Sequence, residues 1–135
     1  MTTVLALLCY TVIIVVTRAT DTREEAPPSI GQYYGPVSEH VADYPIAYFN
    51  LYYHNKAAFV PPMFKYHPVF VTYFVGVYDV ILPVWSDKQI EGWMQEYPAW
   101  IGRHTLYKLV RNDTGDAYVI RYENGKTIQY TYRKW

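Results

Sequence analysis

Tyrosine limits how this chain can fold more than any other residue does. The 135 residues include 16 Tyr, 4 Trp and 5 Phe. Tyrosine and tryptophan combine a large apolar ring with one polar group, and they concentrate at protein interfaces and at membrane–water boundaries. Sixteen tyrosines exceed what the core of one small domain needs. We therefore expect part of them to lie on a surface that a partner covers.

Ten residues are predicted to form this surface. They are Tyr33, Tyr34, Tyr52, Tyr53, Trp100, Tyr118, Tyr130, Tyr132, Arg121 and Arg133. Two other arrangements of the aromatic residues are open. A tyrosine-rich core could direct its hydroxyl groups toward solvent, and Trp85, Trp93 and Trp100 could form a stacking surface for a glycan or a small ligand.

The N-terminus contains an uncharged apolar run, residues 4–16, which Arg18 ends. The residues predicted to lie in a membrane are Val4, Leu5, Leu7, Leu8, Ile13, Ile14, Val15 and Val16. The run is shorter than the roughly 20 residues that span a bilayer, and it falls within the length of a signal-peptide core. We interpret residues 1–19 as a retained membrane anchor. The alternative is a signal peptide that is cleaved after Ala19.

Whether this segment is retained or cleaved decides where the protein is located. An anchored chain would belong to the mitochondrial inner membrane or to an envelope or secretory membrane, whereas a cleaved chain would be secreted. The Asn112-Asp113-Thr114 triplet matches the N-glycosylation acceptor pattern, which operates only in a lumenal domain. Residues 20–35 are charged and contain proline and glycine, so they are predicted to be a linker. Residues 36–135 are predicted to form one aromatic-rich domain.

Two short helices are predicted in this domain. The first would be capped by Asp43 and would carry an apolar stripe at spacings of three and four, ending at Pro61. The stripe consists of Ile46, Phe49, Tyr53, Ala57 and Val60. The second begins with a capping box from Ser86 to Gln89 and ends before Pro98. Its apolar side consists of Ile90, Trp93, Met94 and Tyr97.

Residues 69–82 (VFVTYFVGVYDVIL) are β-branched and aromatic, and prolines bound them on both sides. This composition favours one long buried strand, or two strands separated near residues 76–79. A second membrane span is the alternative. It would place the charge of Asp79 within the hydrocarbon core, which is costly.

Three strand-like runs follow, at residues 105–111, 117–122 and 127–133. Asn124-Gly125 is typical of a two-residue hairpin turn, but such a turn would mix apolar and polar side chains on each face. A three-residue loop of residues 123–125 instead pairs Ile120 with Ile128 and Tyr118 with Tyr130. Because a slip of one residue moves every side chain to the other face, burial selects this register. Gly125 is then predicted to have a positive φ at a bulge.

These elements predict an α+β fold. An N-terminal apolar helix would lead into one small domain of two short helices and an antiparallel sheet, and this sheet would end in a three-stranded C-terminal meander.

The net charge of zero hides an uneven distribution. Residues 20–102 carry four basic and nine acidic side chains, whereas residues 103–135 carry seven basic and three acidic ones. We expect the two halves to attract each other within one domain. The alternative is that Arg121, Arg133 and Lys134 face an acidic partner or lipid headgroups. The balanced total argues against general nucleic-acid binding.

The sequence contains no residue pattern typical of a catalytic, metal or cofactor site. His40, His54, His67 and His104 lack the spacing of helical zinc ligands, and a single Cys excludes a Cys-rich zinc site. No G-x-S-x-G, P-loop or G-x-G-x-x-G motif is present. We therefore predict a protein without enzymatic activity and without a bound cofactor.

The predicted function is that of a non-enzymatic accessory or structural subunit in a larger membrane-associated assembly. A single N-terminal anchor would hold it there, and its tyrosine- and tryptophan-rich surface would bind protein partners. The alternative is a secreted module that binds a small ligand or a glycan after cleavage at Ala19.

Overall fold

The computed structural model describes residues 28–37, 42–62 and 68–134. Within these ranges the chain forms one antiparallel sheet of eight strands and one α-helix, α1. The strands are β1 (Gly31–Tyr34), β2 (Tyr48–Tyr52), β3 (Lys56–Val60), β4 (Val69–Val75), β5 (Ile81–Val84), β6 (Val110–Arg111), β7 (Ala117–Arg121) and β8 (Thr127–Arg133), and α1 spans Asp87–Glu96. The strand order β5-β4-β3-β2-β1-β8-β7-β6 makes a nearly closed barrel. The predicted α+β fold, with two helices on a small sheet, is therefore wrong.

The four-residue strand β1 lies near the centre of the sheet and joins its two halves. Tyr33 pairs with Phe49 of β2 on one side and with Tyr132 of β8 on the other. This strand lies in the segment that the sequence predicts to be a linker, residues 20–35. The domain therefore begins before residue 36, because the interior side chain of Tyr33 belongs to its core.

Three contacts connect β5 to β6 and to the segment before it, and we call them the seam. Ile81 and Leu109 exchange two backbone hydrogen bonds of 3.0 and 2.9 Å. On one side of this bridge Arg111 forms an ion pair with Asp79 at 2.8 Å, and on the other the Trp85 indole Nε1 donates to the Leu106 carbonyl at 2.8 Å. The ion pair joins a residue of the acidic half of the sequence to a residue of the basic half.

The first predicted helix is in fact the hairpin of β2 and β3, which a three-residue turn at residues 53–55 connects. The helical spacing is coincidental, since Phe49 and Ala57 lie in the two paired strands and Tyr53 lies in the turn between them. The hairpin turns Phe49, Leu51, Ala57 and Phe59 into the core. A helix would have buried Tyr53, which the hairpin leaves at the tip of its turn.

The second predicted helix is confirmed as α1. The Ser86 hydroxyl accepts from the backbone N–H of Gln89, and the Gln89 side chain accepts from the backbone N–H of Ser86. Ile90 and Trp93 are buried from its apolar side. The residues of the capping box thus specify where this helix begins.

Residues 69–82 form two strands, β4 and β5, which pair with each other around a 3₁₀ turn at Val77–Asp79. The two-strand prediction is therefore confirmed, and the alternative of one long buried strand is wrong. Residues 69–82 do not form a membrane-spanning helix, and every second residue of both strands faces outward. Among the described residues, no helix has the length and apolarity to cross a membrane. The predicted anchor lies outside the described residues.

The C-terminal register is confirmed. Ile120 pairs with Ile128 and Tyr118 pairs with Tyr130, and Gly125 has a φ of 83° in the three-residue loop between β7 and β8. The first strand of the meander is shorter than predicted. Residues 103–107 form turns instead of a strand, and only Val110–Arg111 pairs with β7.

Because all eight strands are antiparallel, their connections lie at two opposite ends of the barrel. We call one the helix end, since it carries α1 and the β7–β8 loop. The other is the turn end, which carries the connections at residues 53–55, 76–80 and 112–116. The chain enters β1 at the turn end and leaves β8 there.

The seam provides the first prediction. Replacing Arg111 with Met removes the ion pair to Asp79 and the hydrogen bond from the Arg111 Nε to the Gly115 carbonyl. We therefore expect a loss of about 1 kcal/mol of local stability. The backbone amides of Ile81 and Leu109 should then exchange with deuterium roughly fivefold faster. Hydrogen exchange measured by NMR tests this, with Arg121→Met as the control because Arg121 is exposed outside the seam. Equal exchange rates in both variants would contradict the prediction.

Candidate functional site

Three of the predicted surface tyrosines lie in the barrel interior instead. Tyr33, Tyr118 and Tyr130 are almost fully buried. The ring of Tyr33 stacks on Phe49 with centroids 4.9 Å apart, and its edge meets Tyr118 at 5.4 Å. A partner protein cannot contact these rings while the barrel is closed.

The hydroxyls of the interior tyrosines form hydrogen bonds within the protein. Tyr130 donates to the Ile46 carbonyl at 2.7 Å and lies 2.6 Å from the hydroxyl of Tyr122, which therefore donates to it. Tyr118 donates to the Asp79 carbonyl and Tyr33 to the Ser29 carbonyl, each at 2.9 Å. The tyrosine-rich core is thus present, but its hydroxyls end on backbone carbonyls.

Burial changes the acidity of this interior cluster. Loss of hydration raises the pKa of Tyr33 to about 12, although the nearby Arg111 charge opposes the rise. The same cause raises the pKa of Tyr118 and of Tyr122. It also raises the pKa of Tyr130, where the neighbouring Tyr122 adds to the effect.

Four other predicted residues lie around β1 and β8 on the outside or at the margin of the barrel. The ring of Tyr34 stacks on Tyr48 at 5.1 Å, and the Arg133 guanidinium lies 5.0 Å from its centroid. Tyr52 accepts from the Asn50 amide at 3.0 Å. The half-buried Tyr132 donates to the Ile30 carbonyl at 3.2 Å. These contacts tie the rings to their own sheet.

The remaining predicted residues are separated from this group. Trp100 meets Tyr122 edge-on at 5.3 Å, under the ammonium group of Lys126, whereas Trp85 and Trp93 pack against each other at 6.2 Å. Arg121 is exposed and lines an open concavity of about 590 Å³ with Lys108. Of the ten residues, Tyr53 is the aromatic one that projects freely. The predicted residues do not form one continuous surface.

Asn112, the predicted glycosylation residue, lies in the β6–β7 turn. Its amide nitrogen donates to the Thr114 hydroxyl at 2.9 Å and to the Asp116 carboxylate at 3.0 Å. The hydroxyl of Thr114 and this amide lower the pKa of Asp116, because both hydrogen bonds favour its charged form. A glycan on Asn112 would compete with these two bonds.

The structure shows a different candidate surface that sequence reasoning missed. Five apolar side chains project outward from β4, β5 and the segment across the seam. They are Phe70, Phe74, Leu82, Val84 and Tyr107, and we call them the lateral face. Phe70 and Phe74 remain 65% and 60% exposed. Phe74 lies directly opposite Leu82 in the sheet, so the side chains of the two strands adjoin.

Two grooves border Val84 in the lateral face. One, of about 610 Å³, runs between Phe70, Trp85 and Gln89 and has Lys56 on its wall. The other, of about 300 Å³, is lined by Phe74, Leu82, Tyr107 and Arg103, among others. The face therefore combines exposed apolar area with two concave grooves.

No group of three or more metal-ligating side chains occurs among the described residues. His54 lies at the turn end and His104 near the helix end, where its ring contacts Tyr107 at 4.5 Å. The two described histidines are therefore too far apart to share a ligand. His40 and His67 lie outside the described residues.

The buried hydroxyl of Tyr130 provides a second prediction. Tyr130→Phe removes the donor to the Ile46 carbonyl and the hydrogen bond between the Tyr130 and Tyr122 hydroxyls. We expect a loss of about 1–3 kcal/mol in the free energy of unfolding, measured by urea denaturation. Tyr53→Phe is the matched control and should change stability by less than about 0.5 kcal/mol. Equal effects of the two substitutions would contradict the role of the buried bond.

The interior tyrosines also predict a loss of stability in alkali. A tyrosine loses its proton at an ordinary pKa of 10.0 in the unfolded chain, but Tyr33 keeps it to about 12 in the barrel. Above pH 10 the native state therefore binds more protons than the unfolded state, and the free energy of unfolding falls as pH rises. Urea midpoints across this pH range should fall, and tyrosinate absorbance should appear in step with unfolding. Full ionisation of all 16 tyrosines in a folded barrel would refute this.

The chain matches no protein-family model, and comparison with curated proteins and with solved structures finds no match either.

Proposed function

We propose that this protein is a non-enzymatic accessory subunit of a membrane-associated assembly. Its N-terminal apolar segment anchors it, and its lateral face binds an apolar surface of a partner protein. The exposed apolar area of Phe70, Phe74, Leu82 and Val84 carries this proposal. Soluble monomeric proteins rarely leave a contiguous apolar patch uncovered, since water contact with it is unfavourable.

The shape of the lateral face favours a protein over a lipid surface as its occupant. The two grooves beside Val84 are concave, and projecting side chains of a protein could enter them, whereas a bilayer presents no such projections. Lys56 and Arg103 line the two grooves, and Asp87 lies in the second one. Polar groups at the border of an apolar centre resemble the rim of a protein interface.

The test places a photo-crosslinking amino acid at residue 74 or at residue 82 of the full chain, in intact membranes. We expect both positions to give an adduct with the same partner, identified by mass spectrometry. Residue 129 is the matched control, because Gln129 is exposed on the outer side of β8, away from β4 and β5. The additional substitutions Phe70→Ser and Val84→Ser should reduce the adduct at residue 74 by about tenfold or more.

Equal labelling at all three positions, or none at any, would contradict the proposal. N-terminal sequencing of the same preparation tests the anchor separately. A chain that begins at Met1 is expected, and one that begins at Thr20 would support the secreted alternative.

A further inference from the structure

We propose that the turn end of the barrel lies in the membrane–water interface, with Tyr53, Val77 and Tyr78 inserted among the lipid headgroups and upper acyl chains. This inference rests on the anchor in the proposed function, but not on the partner protein or on the lateral face. It gives the barrel an orientation that the anchor alone would leave free.

The three side chains are exposed to an extent that the fold does not explain. Tyr53, Val77 and Tyr78 expose 74%, 77% and 90% of their surface. The barrel therefore gains almost no burial from them. Tyrosine is enriched in the interfacial layer of membranes, because its ring enters the apolar region while its hydroxyl stays hydrated.

The side chains project from two neighbouring turns. Tyr53 lies in the β2–β3 turn, and Val77 and Tyr78 lie in the β4–β5 turn. The strands β3 and β4 pair directly, and the Tyr73 amide donates to the Asn55 carbonyl at 2.9 Å. The three side chains thus share one end of adjacent hairpins and can enter one surface together.

The β4–β5 turn is held in a costly conformation that directs its side chains outward. Tyr78 and Asp79 both have left-handed backbone angles, with φ of 59° and 60°. These angles disfavour residues other than glycine, and tyrosine gains no contact in return. The Arg111 ion pair to Asp79 and the Tyr118 hydrogen bond to its carbonyl fix the turn. The tip is therefore preorganised, and Tyr78 projects before any surface binds it.

The course of the chain favours a bilayer as the occupant. Residues preceding Pro28 lead into β1, which begins at the turn end. Residues 17–27 separate this point from the apolar run at residues 4–16. Extended at about 3.5 Å per residue, they reach no more than about 40 Å. The anchor therefore keeps the turn end within about 40 Å of the membrane, so its exposed side chains can reach the bilayer surface.

Exposed charges of both signs surround the turn end. The β6–β7 turn contributes Asp113 and Asp116, whereas Lys56, Arg133 and Lys134 lie at the same end. Anionic headgroups would attract the three cations and repel the two carboxylates, so the two effects oppose each other. Binding should accordingly depend on apolar insertion more than on anionic lipid.

The experiment uses the full chain with Cys9→Ala, which removes its single cysteine. A new cysteine at residue 53 or 77 is labelled with a polarity-sensitive fluorophore, and Gln95→Cys is the matched control at an exposed position of α1 on the helix end. Each labelled chain is reconstituted into phosphatidylcholine vesicles. Near-ultraviolet circular dichroism confirms that the interior aromatic packing is retained.

We expect blue-shifted emission and several-fold weaker iodide quenching at residues 53 and 77, but not at residue 95. The proposal is overturned by water-like emission at all three positions in vesicle-bound chain. A similar shift at all three positions, or a failure of the chain to associate with vesicles, overturns it as well. Water-like labels would leave the lateral face and its crosslinks intact, so failure of this inference and failure of the proposed function are distinguishable.

Discussion

The structure depends on satisfying tyrosine hydroxyl groups inside an apolar barrel. Each buried ring contributes large apolar area, but its hydroxyl loses water and must find a partner in the protein. Tyr130 and Tyr122 share one such chain of bonds, which ends on the carbonyl of Ile46 ahead of β2. Tyr118 reaches the carbonyl of Asp79 in the β4–β5 turn. These bonds join strands of the C-terminal half to segments of the N-terminal half, so the interior can be apolar only when both halves are in place.

Local parts of the fold could be predicted because two independent signals agreed there. The loop at residues 123–125 was specified by the parity of Tyr118 and Ile120 against Tyr130 and Ile128, and the start of α1 by its capping box. The hairpin of β2 and β3 could not be predicted, because this segment has apolar residues both at helical spacings and at every second position of each strand. The pairing of β1 with β8 has no local signal in the sequence, because these residues come together only when the barrel forms.

The candidate surface was harder to predict than the fold. Both faces of β4 carry apolar residues. Thr72 is the one polar residue between Phe70 and Phe74, so the sequence gives little contrast between these two residues and the buried Val71 and Tyr73. For the tyrosines the error was the reverse, because buried residues were predicted to lie on the surface. The polar group that suits a tyrosine to an interface also suits it to a hydrogen-bonded interior. Burial, rather than residue type, distinguishes the two roles of each aromatic side chain.

The position of β1 has a consequence for how the protein forms. Tyr33 and Tyr132 are neighbours in the sheet but lie near opposite ends of the domain sequence, so the contact order is high and folding is expected to be slow. During synthesis β1–β5 emerge well before β8, and the outer edge of β1 then has unpaired backbone groups. A nascent chain tethered near its start would hold that open edge close to other chains. Protection by a chaperone until β8 arrives would therefore matter more for this barrel than for a sheet assembled from local hairpins.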